Sequence, residues 1–451
     1  MTPTNDVCDM NLSHGYINVS GINKDKIFNG EENTVDKSKK LQLLVGETLY
    51  QQISDISPEY CEPGEEDPFF VADLGAVCRS LRRWKECLPD IHPYYAVKCN
   101  PNETVIKLLG SMGCNFDCAS QNEVEKILLM GFGPERIVYA NPSKTSSHIR
   151  YAKDKNVLLT TVDSAHELLK LHKYHPDCGV LIRISTDDET AQCRLSTKFG
   201  CTVSEAEGTL LPLASKLGLC VRGVAFHVGS GAKDLDSIRK AIRDARVVFD
   251  SAINIYGYGE SMNVLDIGGG FESDSFSDAS LVVNKALDHY FPKAFRASTK
   301  INLIAEPGRF MVADAFTLAV HVIGRKDVPR DLKQHHDVEA LLYLNDGVYG
   351  NLNCILFDHQ QPCPKVLLHK GQLCHHLLLN FDLRFHPCYN FSLWGPTCDG
   401  LDCVSPSCLF PTDVHVGDWI YFPNLGAYSN AASTSFNGFS NNTRIIYVSS
   451  E

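Results

Sequence analysis

Apolar residues occur along this chain in short runs that end in polar or glycine residues. Stretches whose apolar positions recur at helical spacing, such as residues 121–130 and 238–251, separate most of these runs. Eight strand-like runs that alternate with helices predict a (β/α)8 barrel, with the active site at the carboxyl ends of the strands. The predicted barrel strands are residues 93–98, 115–119, 136–140, 157–162, 179–184, 223–228, 264–267 and 301–305.

The helical alternation stops at about residue 313, and the later runs are typical of strands joined by turns. We therefore predict a second, β-rich domain, formed by residues 67–74 and 313–451 around a barrel at residues 75–312. Residues 1–66 are polar and charged, and we expect them to be an N-terminal extension that is partly disordered. The segment 364–388 is expected to be a loop or a loosely packed insertion. The strands predicted outside the barrel are residues 69–73, 340–344, 354–357, 413–416, 419–422 and 444–448.

Length, charge and cysteine content narrow the class of protein. A chain of 451 residues suits two domains, because single cores rarely grow past ~250–300 residues. The net charge of −12 argues against nucleic acid binding, and no apolar run approaches the ~20 residues that a membrane helix needs. Eighteen cysteines are scattered without a secretory signal segment, so we predict a cytoplasmic protein with reduced thiols. Cys398, Cys403 and Cys408 lack the paired C-x2-C spacing of zinc sites, and no metal is predicted.

Three groups at the ends of predicted strands carry candidate chemistry. Lys98 closes an apolar, aromatic run, where desolvation and a cofactor can lower the pKa of a lysine and expose a nucleophilic amine. Gly268, Gly269 and Gly270 lack Cβ atoms, so their backbone amides can approach a phosphate closely. The third group is Glu306, a carboxylate suited to holding an aromatic nitrogen. Taken singly, each group has an ordinary alternative: Lys98 could be a surface lysine, the glycines a turn, and Glu306 the partner of Arg309 in an ion pair. Together they predict pyridoxal phosphate carried as an imine on Lys98.

Five longer motifs carry a resemblance to a known family, which extends from about residue 67 through residue 450. The chain resembles the eukaryotic ornithine decarboxylases, group IV pyridoxal-phosphate-dependent decarboxylases with an alanine-racemase-like fold. The segment 350–360 (GNLNCILFDHQ) is more similar to the fungal branch than to the vertebrate one. The five motifs are residues 93–100 (PYYAVKCN), 116–120 (FDCAS), 226–231 (FHVGSG), 305–309 (AEPGR) and 394–402 (WGPTCDGLD).

The resemblance implies a role for each residue around the cofactor. Lys98 would hold the aldehyde, and Glu306 would keep the pyridine nitrogen protonated so that the ring accepts the electron pair left by CO2. His227 would stack on the ring, although a lone histidine is more often a structural residue. The phosphate would be bound by Ser230, Gly268, Gly269, Gly270, Arg309 and Tyr428. Supporting positions near the cofactor would be Asp117, Glu123 and Arg183.

The resemblance also implies the substrate, L-ornithine, and the products, putrescine and CO2, at the first step of polyamine biosynthesis. Asp358 and Asp399 would bind the distal ammonium of ornithine, beside Phe357, which stands where vertebrate relatives carry tyrosine. Cys398 would return a proton to the substrate α-carbon, since an unperturbed thiol of pKa ~8.5 is protonated at neutral pH. In this family the loop with Cys398 and Asp399 reaches into the neighbouring subunit, which implies a homodimer with shared active sites.

Two alternatives stay open on the sequence alone. A decarboxylase of the same fold acting on lysine or arginine is one, because one methylene changes discrimination by only ~1–3 kcal/mol. Diaminopimelate is less favoured, since its distal carboxylate would face Asp358 and Asp399. The other alternative is a catalytically silent regulator of the antizyme-inhibitor kind, which the retained site residues argue against. Whether an antizyme binds this chain is left open, because Gln121 replaces a lysine of the vertebrate binding surface.

Overall fold

The eight strands predicted for the barrel form a closed parallel barrel. The computed structural model describes residues 37–57, 60–187, 191–192, 195–231, 234–329, 338–374 and 388–451, with side chains from residue 43 onward. Helix α1 (Lys37–Ile53) and strand β1 (Phe69–Asp73) precede the barrel. The barrel strands are β2 (Ile91–Ala96), β3 (Asn115–Cys118), β4 (Ile137–Tyr139), β5 (Leu159–Val162), β6 (Gly179–Arg183), β7 (Val221–Ala225), β8 (Val264–Asp266) and β9 (Asn302–Ala305). Strand β2 pairs with both β3 and β9, which closes the cylinder.

Helices cover the outside of the barrel. Helix α2 (Leu74–Cys87) illustrates why they form: Asp73 caps its first turn, and Val77, Leu81 and Trp84 recur at helical spacing on its buried face. The remaining helices of this domain are α3 (Glu103–Ser111), α4 (Gln121–Leu129), α5 (Ser146–Asp154), α6 (Ala165–Tyr174), α7 (Val203–Glu205), α8 (Leu211–Lys216), α9 (Asp236–Asn254), α10 (Phe276–Tyr290), α11 (Lys293–Thr299) and α12 (Arg309–Val312).

An aromatic cluster fixes two segments that the active site uses. The Trp84 ring lies 5.0 Å from that of Phe271 and 5.8 Å from that of Phe310, centroid to centroid. Phe271 directly follows the triple-glycine segment, and Phe310 directly follows Arg309. Since all three side chains are buried, the glycine segment and Arg309 are held against one part of the core.

The second domain is a β-sheet built from both chain ends, as predicted. Nine strands are hydrogen-bonded in this sheet among the described residues, and β1 pairs with β17 near the end of the chain. Strand β10 is central, because it pairs with β1, β11 and β16. The later elements are β10 (Phe316–Asp327), β11 (Ala340–Leu344), α13 (Cys354–Phe357), β12 (Lys365–His369), β13 (Gln372–Leu373), β14 (Tyr389–Trp394), β15 (Cys403–Phe410), β16 (Trp419–Phe422) and β17 (Arg444–Val448).

Several predictions for the second domain were wrong. Residues 354–357 form helix α13 and not a strand, because a four-residue apolar run fits either element. Residues 413–416 contain no strand, and strands β10, β14 and β15 were not predicted. The segment 364–388, expected to be a loop, contributes strands β12 and β13 up to residue 373, and residues 375–387 lie outside the described part.

The predicted N-terminal extension contains an ordered helix. In helix α1 the side chains of Leu49 and Ile53 are buried and pack with Phe69 and Trp419 of the sheet. The expectation for residues 1–36 lies outside the described residues. None of the helices in the described part is long and apolar enough to cross a membrane.

Candidate active site

A cavity of about 400 Å³ opens at the carboxyl end of the barrel and is lined by both domains. Strand β2 ends at Ala96, so Lys98 lies in the 3-10 turn Val97–Cys99 that follows it, two residues beyond the strand. The second domain contributes Phe357, Asp358 and Tyr428 to the opposite wall. The predicted site residues that line this cavity are Lys98, Arg183, His227, Ser230, Glu306, Phe357, Asp358 and Tyr428.

The Lys98 amine is surrounded by carboxylates. Its Nζ donates a hydrogen bond to Oδ2 of Asp117, whose side chain is fully buried at the end of β3. Burial lowers the pKa of Lys98, but the charges of Asp117 and Glu306 outweigh it, so the net pKa is raised. Desolvation therefore acts in the expected direction but does not lower the net pKa in the protein alone, and the predicted effect of the cofactor stays a prediction.

A floor of buried carboxyl groups lies beneath the cavity, and Glu306 is the member of it that lines the cavity as described. Burial and the neighbouring charges of Asp117 and Asp266 raise the pKa of Glu306 well above its ordinary value. Burial also raises the pKa of Asp266, at the end of β8. Oδ1 of Asp117 has no hydrogen-bond partner within the described residues. Such a cluster stabilises a positive charge placed among these groups.

Glu123 supports this floor from behind. Its Oε2 accepts a hydrogen bond from the backbone N–H of Ala119 at 2.6 Å, in the segment between β3 and α4. Burial raises the pKa of Glu123, and the charge of Asp117 adds to the shift. Glu123 thus acts on the segment that carries Asp117, and it does not line the cavity as described.

The triple-glycine segment is a turn that leaves no room for side chains. Gly268 and Gly270 have φ values of +67° and +94°, in the left-handed region. A Cβ at Gly268 would overlap the carbonyl oxygen of Phe226, and one at Gly270 would overlap that of Gly229. The segment is pinned because the N–H of Gly268 donates to Oδ1 of Asp266 at 2.9 Å. Its backbone can therefore approach a ligand closely.

Ser230 and Arg309 lie together beside this segment. Nε and Nη2 of Arg309 are each 3.3 Å from Oγ of Ser230, and both residues line a small side cavity with Gly270 and Tyr428. The Arg309 guanidinium also lies over the Tyr428 ring, 5.3 Å from its centroid. Together they provide a cation and a hydroxyl suited to an anion.

His227 and Tyr428 are held by backbone hydrogen bonds. Nδ1 of His227 accepts from the N–H of Gly229 at 3.0 Å, which leaves the proton on Nε2. Burial, with the charges of Arg183 and Lys98, lowers the pKa of His227 well below its ordinary value, so the ring is neutral. The Tyr428 N–H donates to the carbonyl of Cys99 at 2.9 Å, which ties the second domain to the Lys98 turn.

Asp358 and Phe357 end helix α13 at the cavity. The Asp358 side chain is 9% exposed, and its Oδ2 accepts a hydrogen bond from Nη2 of Arg309 at 2.5 Å. Phe357 is 67% exposed. A buried carboxylate of the second domain thus contacts the guanidinium of the anion-binding corner.

Cys398 and Asp399 lie away from this cavity. Neither belongs to the described residues that line it, and Cys398 is exposed, with its N–H donating to Oδ1 of Asn437 at 2.9 Å. Asp399 accepts a hydrogen bond from the Tyr349 hydroxyl, and this bond lowers the pKa of Asp399. Their loop is folded around Asp402, which accepts hydrogen bonds from Val348 N–H and from the Thr397 hydroxyl. One chain does not bring these two residues to Lys98.

Comparison with known proteins identifies the family. The sequence profile of a family described as pyridoxal-dependent decarboxylase, pyridoxal binding domain, matches residues 74–313. An ornithine decarboxylase from Candida albicans is 50% identical over 431 residues, which cover 92% of this chain and 90% of that protein. The chain belongs to the pyridoxal-dependent decarboxylase family.

Other pyridoxal-dependent decarboxylases agree with this assignment. The ornithine decarboxylase of Saccharomyces cerevisiae is 48% identical over 414 residues, covering 90% of this chain and 86% of that protein. The crystal structure of an arginine decarboxylase from Paramecium bursaria Chlorella virus, bound to agmatine, superposes with a TM-score of 0.78 at 32% identity. The superposition covers 89% of this chain and 100% of the arginine decarboxylase chain. The barrel with its β-rich second domain is therefore the fold of these decarboxylases.

The described residues fit the pyridoxal phosphate of this family. The amine of Lys98 can hold an aldehyde, and the glycine segment with Ser230 and Arg309 provides a cradle that a Cβ would fill. The unpaired Oδ1 of Asp117 and the raised pKa of Glu306 mark a place for a cationic ring nitrogen. The donor set thus matches an aldehyde, a phosphate and a protonated ring.

Sequence reasoning missed several residues of this decarboxylase site. Asn141, Pro142, Leu195 and Phe199 line the cavity, but their sequence surroundings carry no motif of their own. Asp266 stands in the motif DIGGG, and an acidic residue directly after a buried strand is a signal that could have found it.

Proposed function

We propose that this chain decarboxylates L-ornithine to putrescine and CO2 with pyridoxal phosphate bound at Lys98. The observation that carries the proposal is a single cavity with an aldehyde-reactive amine, an acidic floor and a buried carboxylate, Asp358, opposite. Relatives of 48–50% identity that are named ornithine decarboxylases support the choice of substrate. The proposed reaction would be the first step of polyamine biosynthesis.

The cofactor supplies, when bound, an electron sink for the pair left behind as CO2 departs. Glu306 would hold the protonated ring nitrogen, and the neighbouring carboxyl groups of Asp117 and Asp266 would favour that proton. His227, neutral and fixed by Gly229, would contact the ring without adding charge. The phosphate would be held by Ser230, Arg309, Tyr428 and the glycines at 268–270. Arg183 lines the cavity beside His227 and orients this group.

Asp358 and Asp399 bind the distal ammonium of the substrate. Charge-assisted hydrogen bonds of this type contribute on the order of 1.5–3 kcal/mol each, which disfavours amino acids with a neutral side chain. Discrimination against lysine depends on one methylene, worth ~1–3 kcal/mol, so the cavity length sets the ranking of ornithine over lysine. The exposed Phe357 forms part of that wall.

Cys398 holds the proton that returns to the substrate α-carbon. Since Cys398 is exposed and neither Cys398 nor Asp399 lines the cavity of Lys98 in the described chain, a second copy of the chain is needed to complete each site. The active protein is therefore a homodimer in which each site uses Lys98 of one subunit and Cys398 of the other.

A silent regulator is the competing function, because an antizyme inhibitor 2 from Xenopus laevis is 44% identical over 396 residues. Lys98, Glu306 and the phosphate cradle would have no use in such a protein. The contacts of Lys98 with Asp117 and of Arg309 with Ser230 therefore favour the enzyme.

Two measurements test the proposal together. Borohydride reduction followed by peptide mass spectrometry should find the cofactor on Lys98, and Lys98→Ala should carry none. Release of CO2 should be fastest from ornithine when ornithine, lysine and arginine are compared at equal concentration. An active protein without an adduct on Lys98, or turnover of lysine alone, would overturn the proposal.

A further inference from the structure

The Arg309 guanidinium lies between Ser230 and the Asp358 carboxylate of the second domain. Arg309 is 10% exposed, and its Nη2 bonds to Oδ2 of Asp358 at 2.5 Å. The same nitrogen lies 3.3 Å from Oγ of Ser230. Nε of Arg309 is 3.5 Å from Oε1 of Glu272. Arg309 therefore serves Ser230 and two carboxylates at once.

We propose that Arg309 is a positioning residue for Asp358, and that it couples binding of the cofactor phosphate to binding of the substrate's distal ammonium. This inference rests on the proposed function, which assigns a phosphate to Arg309 and an ammonium to Asp358. A phosphate dianion beside Ser230 competes with Asp358 for the guanidinium. The carboxylate, less neutralised, then attracts an ammonium more strongly.

The burial of this pair makes the competition effective. The side chains of Arg309 and Asp358 are 10% and 9% exposed, so little water screens their interaction. Nη2 of Arg309 bonds to Asp358 and lies beside Ser230, so the Asp358 carboxylate and a phosphate at Ser230 must share the charge of one guanidinium. Because coupling between two binding sites is reciprocal, a diamine must strengthen phosphate binding by the same factor.

Glu272 provides a matched control within the same group. It contacts Nε of Arg309, is 34% exposed, and is absent from the described lining of the cavity. Glu272→Gln removes a carboxylate from Arg309 without touching the ammonium site. Asp358→Asn removes the other carboxylate together with the ammonium site.

The experiment uses the full-length protein after removal of the cofactor, with regained activity on adding pyridoxal phosphate as proof of an intact fold. Calorimetry measures inorganic phosphate binding, and putrescine binding with and without phosphate at matched ionic strength. Phosphate should tighten putrescine binding about five-fold or more. Asp358→Asn should bind phosphate more tightly than the parent and lose the effect of phosphate on putrescine. Glu272→Gln should also bind phosphate more tightly but keep that effect.

The outcomes separate this inference from the proposed function. Equal putrescine affinity with and without phosphate in the parent protein overturns the coupling and leaves the decarboxylase assignment standing. Weaker or unchanged phosphate binding in Asp358→Asn also overturns the coupling, because Asp358 would then not compete with phosphate for Arg309. Absence of putrescine binding even in the cofactor-loaded protein contradicts the proposed diamine site, and the inference falls with it.

Discussion

Gly268 and Gly270, after strand β8, show how strictly glycine is required at the anion-binding corner. At Gly268 and Gly270 the atoms that a Cβ would meet first are backbone oxygens, those of Phe226 and Gly229. Backbone cannot rotate away as a side chain can, so the conflict must move the loop itself. A loop that moves no longer holds its amides beside Ser230 and Arg309, where the phosphate is proposed to bind.

Gly270→Ala should therefore abolish tight binding of pyridoxal phosphate and lower the free energy of unfolding. Gly113→Ala is the matched control, because Gly113 has φ +90° but open space where its Cβ would stand. The control should cost only about 1–2 kcal/mol, from the left-handed conformation alone. Cofactor absorbance titrations and denaturant unfolding measure both effects. Normal cofactor affinity in Gly270→Ala would contradict a steric requirement at this corner.

At the residue scale, the sequence predicted the side chains that line the cavity more successfully than it predicted their pKa shifts. Lys98 and Glu306 were predictable because each comes soon after a barrel strand, and strand ends share one rim. The upward shift in the pKa of Lys98 was not, because it arises from Asp117, which lies on another strand. The pair of Arg309 and Asp358 joins two domains across 49 residues of sequence, where no local pattern operates.

Helix α1 is an ordered element within a segment that is polar and charged elsewhere. Leu49 and Ile53 are buried, on the side of the helix that packs with Phe69 and Trp419. Leu44 and Val45 add partly buried apolar surface to the same cluster. The helix thereby covers one face of the second domain.

Leu49→Ala should destabilise the second domain by about 2–5 kcal/mol, the usual cost of deleting a buried leucine side chain. Glu47→Ala, an exposed position on the same helix, is the control and should change the unfolding free energy little. Urea unfolding of the full-length variants measures the difference. Equal midpoints for the two variants would show that the helix does not stabilise the sheet.

At the element scale, prediction succeeded where a pattern repeated and failed where one element stood alone. Each barrel strand was supported by the helix before and after it. Strand β15 contains Pro406 and two serines, a composition that disfavours a strand by itself, and its pairing with β14 overrides that preference. The short run 354–357 became a helix because burying Cys354 there requires only one turn.

At the scale of the whole molecule, Cys398, the proposed proton donor, does not line the cavity of its own chain. The loop of Cys398 is built firmly, around the buried Asp402, yet it presents the thiol to solvent. A rigid loop aimed outward is suited to a partner subunit and not to a slow closing movement over Lys98. If the proposed dimer forms, the second domain contributes Asp358 and Tyr428 to the cavity of its own chain and Cys398 to that of the partner.

Mixing inactive Lys98→Ala and Cys398→Ala proteins should restore activity. Random exchange makes half of the dimers mixed, and each mixed dimer has one intact site, so the ceiling is about a quarter of the parent rate. Turnover of ornithine is assayed before and after exchange, and native mass spectrometry verifies that mixed dimers exist. Mixed dimers without turnover would refute shared sites.

The pairing of β1 with β17 also has a consequence for how the chain is made. Asp73 accepts a hydrogen bond from the N–H of Ser450, 377 residues later, so one side of β1 stays unpaired until β17 has been made. Chains interrupted before β17 would leave that edge uncovered, and such fragments should be early clients of chaperones and proteases.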